Sequence, residues 1–315
     1  MSTVKNYLSL VKFSHTIFAM PFALIGFALG IRNYEYYRIF SPSTRNFIEG
    51  FPAGFFDDYP KTIKEATIRL ILVIVCMVTA RSAAMAFNRY LDRHFDAKNP
   101  RTANREIPAG IVSAKNALFF IMGSCILFVV ATYFINKLCF YMSPIALFVI
   151  LFYSYTKRFT FLCHLVLGVG LSLAPIGAYL AVTGSFDLLP ILFSLAVVFW
   201  VSGFDIIYAL NDIAFDQSQN LYSIPAVIGT KNGLNVSMLL HVISAFCVLF
   251  AGYSGGFHWL YWTGVAVFIG MLVYQHSIVK PTDLSRVNIA FMTANGIASV
   301  VFGILVIADQ IINVY

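Results

Sequence analysis

The sequence predicts an all-α integral membrane protein, with about nine transmembrane helices around a central cavity. Three observations lead there. Of 315 residues, 59% are hydrophobic and 11% charged, whereas about a quarter are charged in soluble domains; mean hydropathy is +0.80. The apolar residues fall in blocks close to the roughly 20 residues that carry a helix across a bilayer core. The chemically unusual polar residues gather in a few loops that share one side of those blocks. Lipid cannot satisfy open backbone groups, and the roughly ten-residue alternation of a membrane barrel is absent, so the blocks read as helices.

Taken in order, the first block, 13–30, follows the basic Lys5 and Lys12 and lacks a small-residue cleavage site. It reads as a retained helix rather than a signal peptide. Segment 33–64, with Ser, Pro, Gly, several aromatics and Asp57-Asp58, reads as a long non-cytoplasmic loop without an assigned function. Further spans are expected at 68–87, 117–134, 143–155, 162–182, 188–210, 234–253, 259–276 and 289–307. The whole of 1–315 reads as a single membrane domain. Kinks are expected at Pro21 and Pro175. Net charge is +7, but the basic residues lie between apolar blocks, where topology explains them and nucleic-acid binding does not. Short loops rich in Lys and Arg place the N-terminus in the cytoplasm of a multi-pass inner-membrane protein. The five cysteines show no CxxC spacing and read as packing thiols. No obligate protein partner is expected.

The chemistry concentrates in two acidic clusters. Asn88, Asp92 and Asp96 recur every fourth residue, so a helix stacks them on one face, and Arg81 extends that stripe deeper into the span. Asp212 and Asp216 repeat the spacing, with Asp205 seven residues before Asp212. A lone DxxxD at a helix end is usually a solvated terminus. Two of them, each extended by an intramembrane charge, indicate a site. Carboxylates crowded in low dielectric need a cation, and Mg²⁺ suits them: it favours a few carboxylates completed by substrate phosphates. Asp92, Asp96, Asp212 and Asp216 are the candidate metal ligands. Lys98, Arg101, Arg105, Lys157 and Arg158 are candidates for the remaining phosphate oxygens.

With those motifs in view, the chain resembles the UbiA superfamily of intramembrane prenyltransferases, especially its 4-hydroxybenzoate polyprenyltransferase branch. The stretches that carry the resemblance are KFSHTIFAMP at 12–21, NRYLDRHFDAKNPRTANREIPAG at 88–110, YSYTKR at 153–158 and GFDIIYALNDIAFDQSQNLYSIP at 203–225. They run in the family's order over most of the chain. Departures are the long first loop and Tyr222, where many relatives carry a basic residue. The resemblance implies Mg²⁺-dependent transfer of a polyprenyl group from prenyl diphosphate to a hydroxylated aromatic acid in quinone synthesis. Asn88 would assist the four aspartates, Lys157 would reach the diphosphate, and Tyr153 and Tyr155 would shield the allylic cation. Asp205 and Arg81 would place the acceptor or a phosphate. The lone histidines His15, His94 and His164 read as structural. Alternatives are a naphthoate-type acceptor or, from another class, a cation-coupled transporter, which requires acidic residues near the midplane of broken helices.

Overall fold

The computed structural model describes residues 3–12, 18–40 and 60–313, except the side chains of 3 and 34–40. Among them the regular elements are all helical. A short helix, α1 (Thr3–Leu10), precedes α2 (Met20–Phe40) and the long α3 (Ile63–Asp96). Then come α4 (Ala114–Ile135), α5 (Lys137–Thr156), α6 (Cys163–Thr183) and α7 (Leu188–Ala209). A 3₁₀ turn, Leu210–Asp212, leads to α8 (Ile213–Ser218), α9 (Ile224–Ser254), α10 (Trp259–Ile278) and α11 (Asn295–Ile312). Helices adjacent in sequence pack side by side, and α11 returns to α2, which also lies along α6, so the helices close into a ring.

Seven described helices are long and apolar enough to cross a membrane, so the expectation of about nine is not reached by that measure. Met20–Asn33 is apolar but short, and α10 is not among the seven. The aromatic, polar start of α10 and its Gln275-His276 end dilute an otherwise apolar stretch. The block expected to be short, 143–155, is in fact 20 residues long. Its helix starts as soon as α4 ends, because Asn136 closes α4 and caps α5, its Oδ1 accepting the Cys139 N–H at 2.8 Å.

Local chemistry sets the other boundaries. Thr62 caps α3 by accepting the Glu65 N–H at 3.1 Å, and Glu65 accepts the Lys61 N–H at 2.7 Å, close to a capping box. Pro21 does not kink its helix; it occupies the first turn of α2, where its missing N–H costs nothing. Pro175 lies inside α6, and Pro144 lies inside α5. The stretch between the expected spans 188–210 and 234–253 already holds α8 and the start of α9, which is broken at Gly229 with φ +81°. Most of 33–64, including Asp57-Asp58, lies outside the described residues, although α2 continues through Phe40. The family-like segment at 12–21 is likewise described only at Lys12 and from Phe18 onward.

Two halves of the ring differ. On the side of α2, α7, α10 and α11, the rings of Phe22, Phe193, Trp200, Phe268 and Phe302 are buried together and solidly packed. In lipid such packing rests on dispersion and shape, not on the exclusion of water. On the side of α3 to α6, smaller residues leave a cavity of about 300 Å³. At one end of the ring, α1 lays Leu10 and Val11 against Ala86, Ile107, Val112 and Ala117, and so covers the loop after α3.

Candidate active site

Both acidic clusters lie at the end of the ring that α1 covers. In the last turns of α3, Asn88 Nδ2 donates to Asp92 Oδ2 at 3.4 Å, which realises the one-face stripe. Asp92 and Asp96 are 2% and 6% exposed. Charges so deeply withdrawn from water need partners, and basic side chains supply them. Lys157 Nζ meets Asp92 Oδ2 at 2.5 Å and Arg158 Nη2 meets Asp92 Oδ1 at 3.0 Å, both from the end of α5. Arg105 Nη1 meets Asp96 Oδ1 at 2.7 Å, while Asp96 Oδ2 is buried with no protein donor.

The second cluster does not sit on one straight helix. Asp205 is on α7, Asp212 ends the 3₁₀ turn, and Asp216 lies on α8. The turn tightens the backbone and re-aims the two aspartates, a feature common at functional sites. The loop after α3 then joins the clusters. Arg101 forms a two-pronged ion pair with Asp212, and its Nη1 donates to Tyr208 Oη at 2.9 Å. Asn99 Nδ2 also donates to Asp212 Oδ1, at 3.3 Å. Burial opposes the Arg101 charge, but Tyr208 and Asp212 outweigh it and raise its pKa above the ordinary arginine value. From the other side, the Tyr222 N–H donates to the Lys157 carbonyl at 2.7 Å, and Ser223 Oγ donates to Asp216 Oδ2 at 3.0 Å. The carboxylates of the two clusters are thus held by neighbouring residues of shared loops.

Of the remaining sequence-predicted residues, Arg81 and Tyr153 line the cavity. Arg81 Nε is buried without a partner, and Tyr153 is close enough to Asp205, Asp92 and Arg81 to feel their charges. Tyr155 does not join them: it is 43% exposed, packs on Phe87, and lies under the Arg158 guanidinium. Two residues earlier on the same helix, Tyr153 faces inward, and a two-residue step turns a helical side chain to the other face. Lys98 is exposed at the rim and reaches Gln219 Oε1 at 3.5 Å rather than an aspartate.

The structure adds residues that spacing alone did not single out. Asn99 and Ser223 bind motif aspartates, and Arg89 is buried among Asp96, Arg105 and Glu106. The polar run following the first cluster was the available signal for Asn99. For Ser223 it was the N-cap position ahead of an apolar helix. Nothing local distinguishes Arg89.

Do these residues fit a divalent ion? Among the described residues, no three His, Cys, Asp or Glu side chains gather into a ready-made cage. Mg²⁺ seldom uses one, taking one or two carboxylates and completing its shell with phosphate and water. All-oxygen donors on two adjoining elements, one of them a buried carboxylate oxygen without a donor, fit that habit.

The pattern described as the UbiA prenyltransferase family matches residues 61–297. The chain belongs to this family. It is 30% identical to 4-hydroxybenzoate octaprenyltransferase of Nitrosomonas europaea over 237 residues, covering 75% of this chain and 81% of that protein. The protein of the same name from a Marinomonas species is 31% identical, with 74% and 82% covered. The apo structure of a UbiA homologue from Aeropyrum pernix K1 superposes with a TM-score of 0.74 at 26% identity, covering 96% of this chain and 98% of that one. A UbiA homologue from Archaeoglobus fulgidus, solved bound to DMAPP and Mg²⁺, shares the fold with a TM-score of 0.68 at 16% identity, covering 98% and 99%. As a UbiA prenyltransferase the chain is an enzyme and a multi-pass membrane protein.

Proposed function

We propose that this aromatic prenyltransferase transfers a polyprenyl group from prenyl diphosphate to 4-hydroxybenzoate or a close analogue, for ubiquinone-type quinone synthesis. The observation that carries the reading is the joining of two acidic clusters, through one cationic loop, beside an apolar cavity. The relatives' names favour benzoate over the naphthoate-type acceptor. The positions of the acids at helix ends, rather than at a midplane break, disfavour a transporter. The Lys- and Arg-rich short loops support an inner-membrane protein with a cytoplasmic N-terminus.

The cluster is nearly neutral as it stands, with Lys157, Arg158, Arg105 and Arg101 opposing its aspartates. An entering diphosphate competes for those cations, since bidentate and charge-assisted bonds to phosphate are strong. The aspartates released from them then need another cation. Asp92, Asp96, Asp212 and Asp216, assisted by Asn88, would hold Mg²⁺. When bound, it would neutralise the diphosphate oxygens and make the group a better leaving group.

The chain's own residues do the rest. Lys157, Arg158, Arg101 and Arg105 hold the diphosphate as its C–O bond breaks. The apolar cavity walls keep water from the allylic cation, and the Tyr153 ring lends it a π face. Arg81, its Nε unpartnered at the cavity wall, binds the acceptor's carboxylate. The ring carbon ortho to the hydroxyl attacks. Asp205, the one acidic residue of the second cluster without a Lys or Arg partner among the described contacts that also reaches Tyr153, takes the ring proton.

The test incubates membranes containing the protein with labelled prenyl diphosphate and each acceptor separately, with Mg²⁺ or with EDTA. Labelled prenyl-benzoate that forms with Mg²⁺, disappears with EDTA and returns on adding the metal is the expected result. Product formed equally well without divalent metal, or with no aromatic acceptor, contradicts the reading.

A further inference from the structure

Asp205 is held differently from the other acids of the site. Its Oδ2 lies 2.7 Å from Nδ1 of His164, a residue at the start of α6 that is 3% exposed. The other ring nitrogen, Nε2, accepts the backbone N–H of Ile224 at 3.3 Å. In this network Nδ1 carries the proton that is donated to Asp205. Asp205 thus has an imidazole N–H as the partner of its Oδ2, where the other motif acids have Lys, Arg or Ser.

The ring is fixed from several sides. Ser202 Oγ donates to the His164 carbonyl at 3.1 Å. Ile224 opens α9, and the cap of that helix, Ser223, donates to Asp216 at 3.0 Å. One imidazole thus ties Asp205 to the start of α9, whose cap binds Asp216.

We propose that His164 is a positioning residue, which holds Asp205 as an aimed carboxylate so that its Oδ1 takes the proton displaced by prenylation. This rests on the function proposed above. In that step the C–O bond pair leaves with the diphosphate, and ring π electrons form the new C–C bond. The C–H pair then restores aromaticity as the proton passes to Asp205 Oδ1, from where the diphosphate product carries it away.

Two substitutions separate the ring's two contacts, because an Asn amide reaches the Nδ1 position and a Gln amide the Nε2 position. His164→Gln keeps a partner for Ile224 but loses the donor to Asp205; His164→Asn does the reverse. Full-length protein in detergent, with Mg²⁺, prenyl diphosphate and 4-hydroxybenzoate, gives the readout. His164→Gln lowers kcat about 100-fold, the lower range for a general base, with prenyl diphosphate KM within about twofold of wild type. His164→Asn recovers at least about tenfold of that loss. On an Asp205→Asn background His164→Gln has little further effect, because the two residues act as a unit.

The inference is overturned if His164→Gln stays near wild-type kcat, if the Asn variant is as slow as the Gln one, or if the loss persists undiminished beside Asp205→Asn. If His164→Gln does not fold by size exclusion, His164→Asn decides alone, and a loss much beyond about tenfold overturns the proposal. A wild-type protein that makes no prenylated product sinks the proposed function instead, which separates the two failures.

Discussion

At the scale of single residues, the site divides its acids by the company they keep. Asp92, Asp96 and Asp212 face Lys or Arg, and Asp216 accepts from Ser223, whereas Asp205 meets the His164 imidazole. The proposed ligands of a metal and a diphosphate thereby differ in their partners from the proposed base. Arg81 stands apart from the other cations on the cavity wall. Replacing it by Met removes a charged hydrogen bond of about 1.5–3 kcal/mol, so acceptor KM should rise about 10- to 100-fold. The KM for prenyl diphosphate should hardly move; steady-state kinetics with each substrate varied in turn checks this. Asp205→Asn should lower kcat about 100-fold while donor binding survives, which single-turnover assays would read. The Asn88, Asp92, Asp96 stripe was legible from spacing because helical periodicity is local. The Arg101–Asp212 pair was not, since it joins residues 111 apart, and nothing in either segment names the other. His164 was visible as a histidine, but its value comes from Asp205 and Ile224, both remote in sequence.

At the scale of elements, close approach and breaks do the positioning. A Cβ on Gly26 of α2 would sit 2.0 Å from the Pro175 carbonyl oxygen of α6, so only a residue without one lets these helices touch. Gly26→Ala should destabilise the protein by about 1–3 kcal/mol, the usual cost of overpacking, seen as a lower melting temperature in detergent. Ser223 links a cap to the site: it starts α9 and binds Asp216. Ser223→Ala should cost about 1 kcal/mol of stability from the lost cap. It should also weaken prenyl diphosphate binding, because Asp216 loses its donor; melting and substrate titration read the two effects separately. Helix existence was well announced by apolar blocks. Ends were less so: the apolar block 68–87 marks only part of α3, whose polar last turns leave the lipid without breaking the helix and carry the motif to Asp96, as its four-residue spacing implied. The interruption of α9 at Gly229 and the 3₁₀ turn before α8 depend on backbone angles that a hydropathy pattern does not report.

At the scale of the whole molecule, the ring separates two tasks: one half is filled by aromatic packing, and the other is left hollow beside a charged end. The separation was partly legible, because the unusual polar residues shared one side of the blocks. Which helices enclose the cavity was not, since lining and lipid-facing residues are both apolar. Under the proposed function, both acidic helix ends hold one diphosphate with the help of a divalent ion. The most direct measurement is binding of a labelled prenyl diphosphate to detergent-solubilised wild type, Asp92→Ala and Asp212→Ala, each with Mg²⁺ and with EDTA. Tight binding is expected only for wild type with Mg²⁺, and it should be lost in each variant although both still fold. Equal binding by either variant, or binding by wild type that ignores EDTA, would contradict the proposed function.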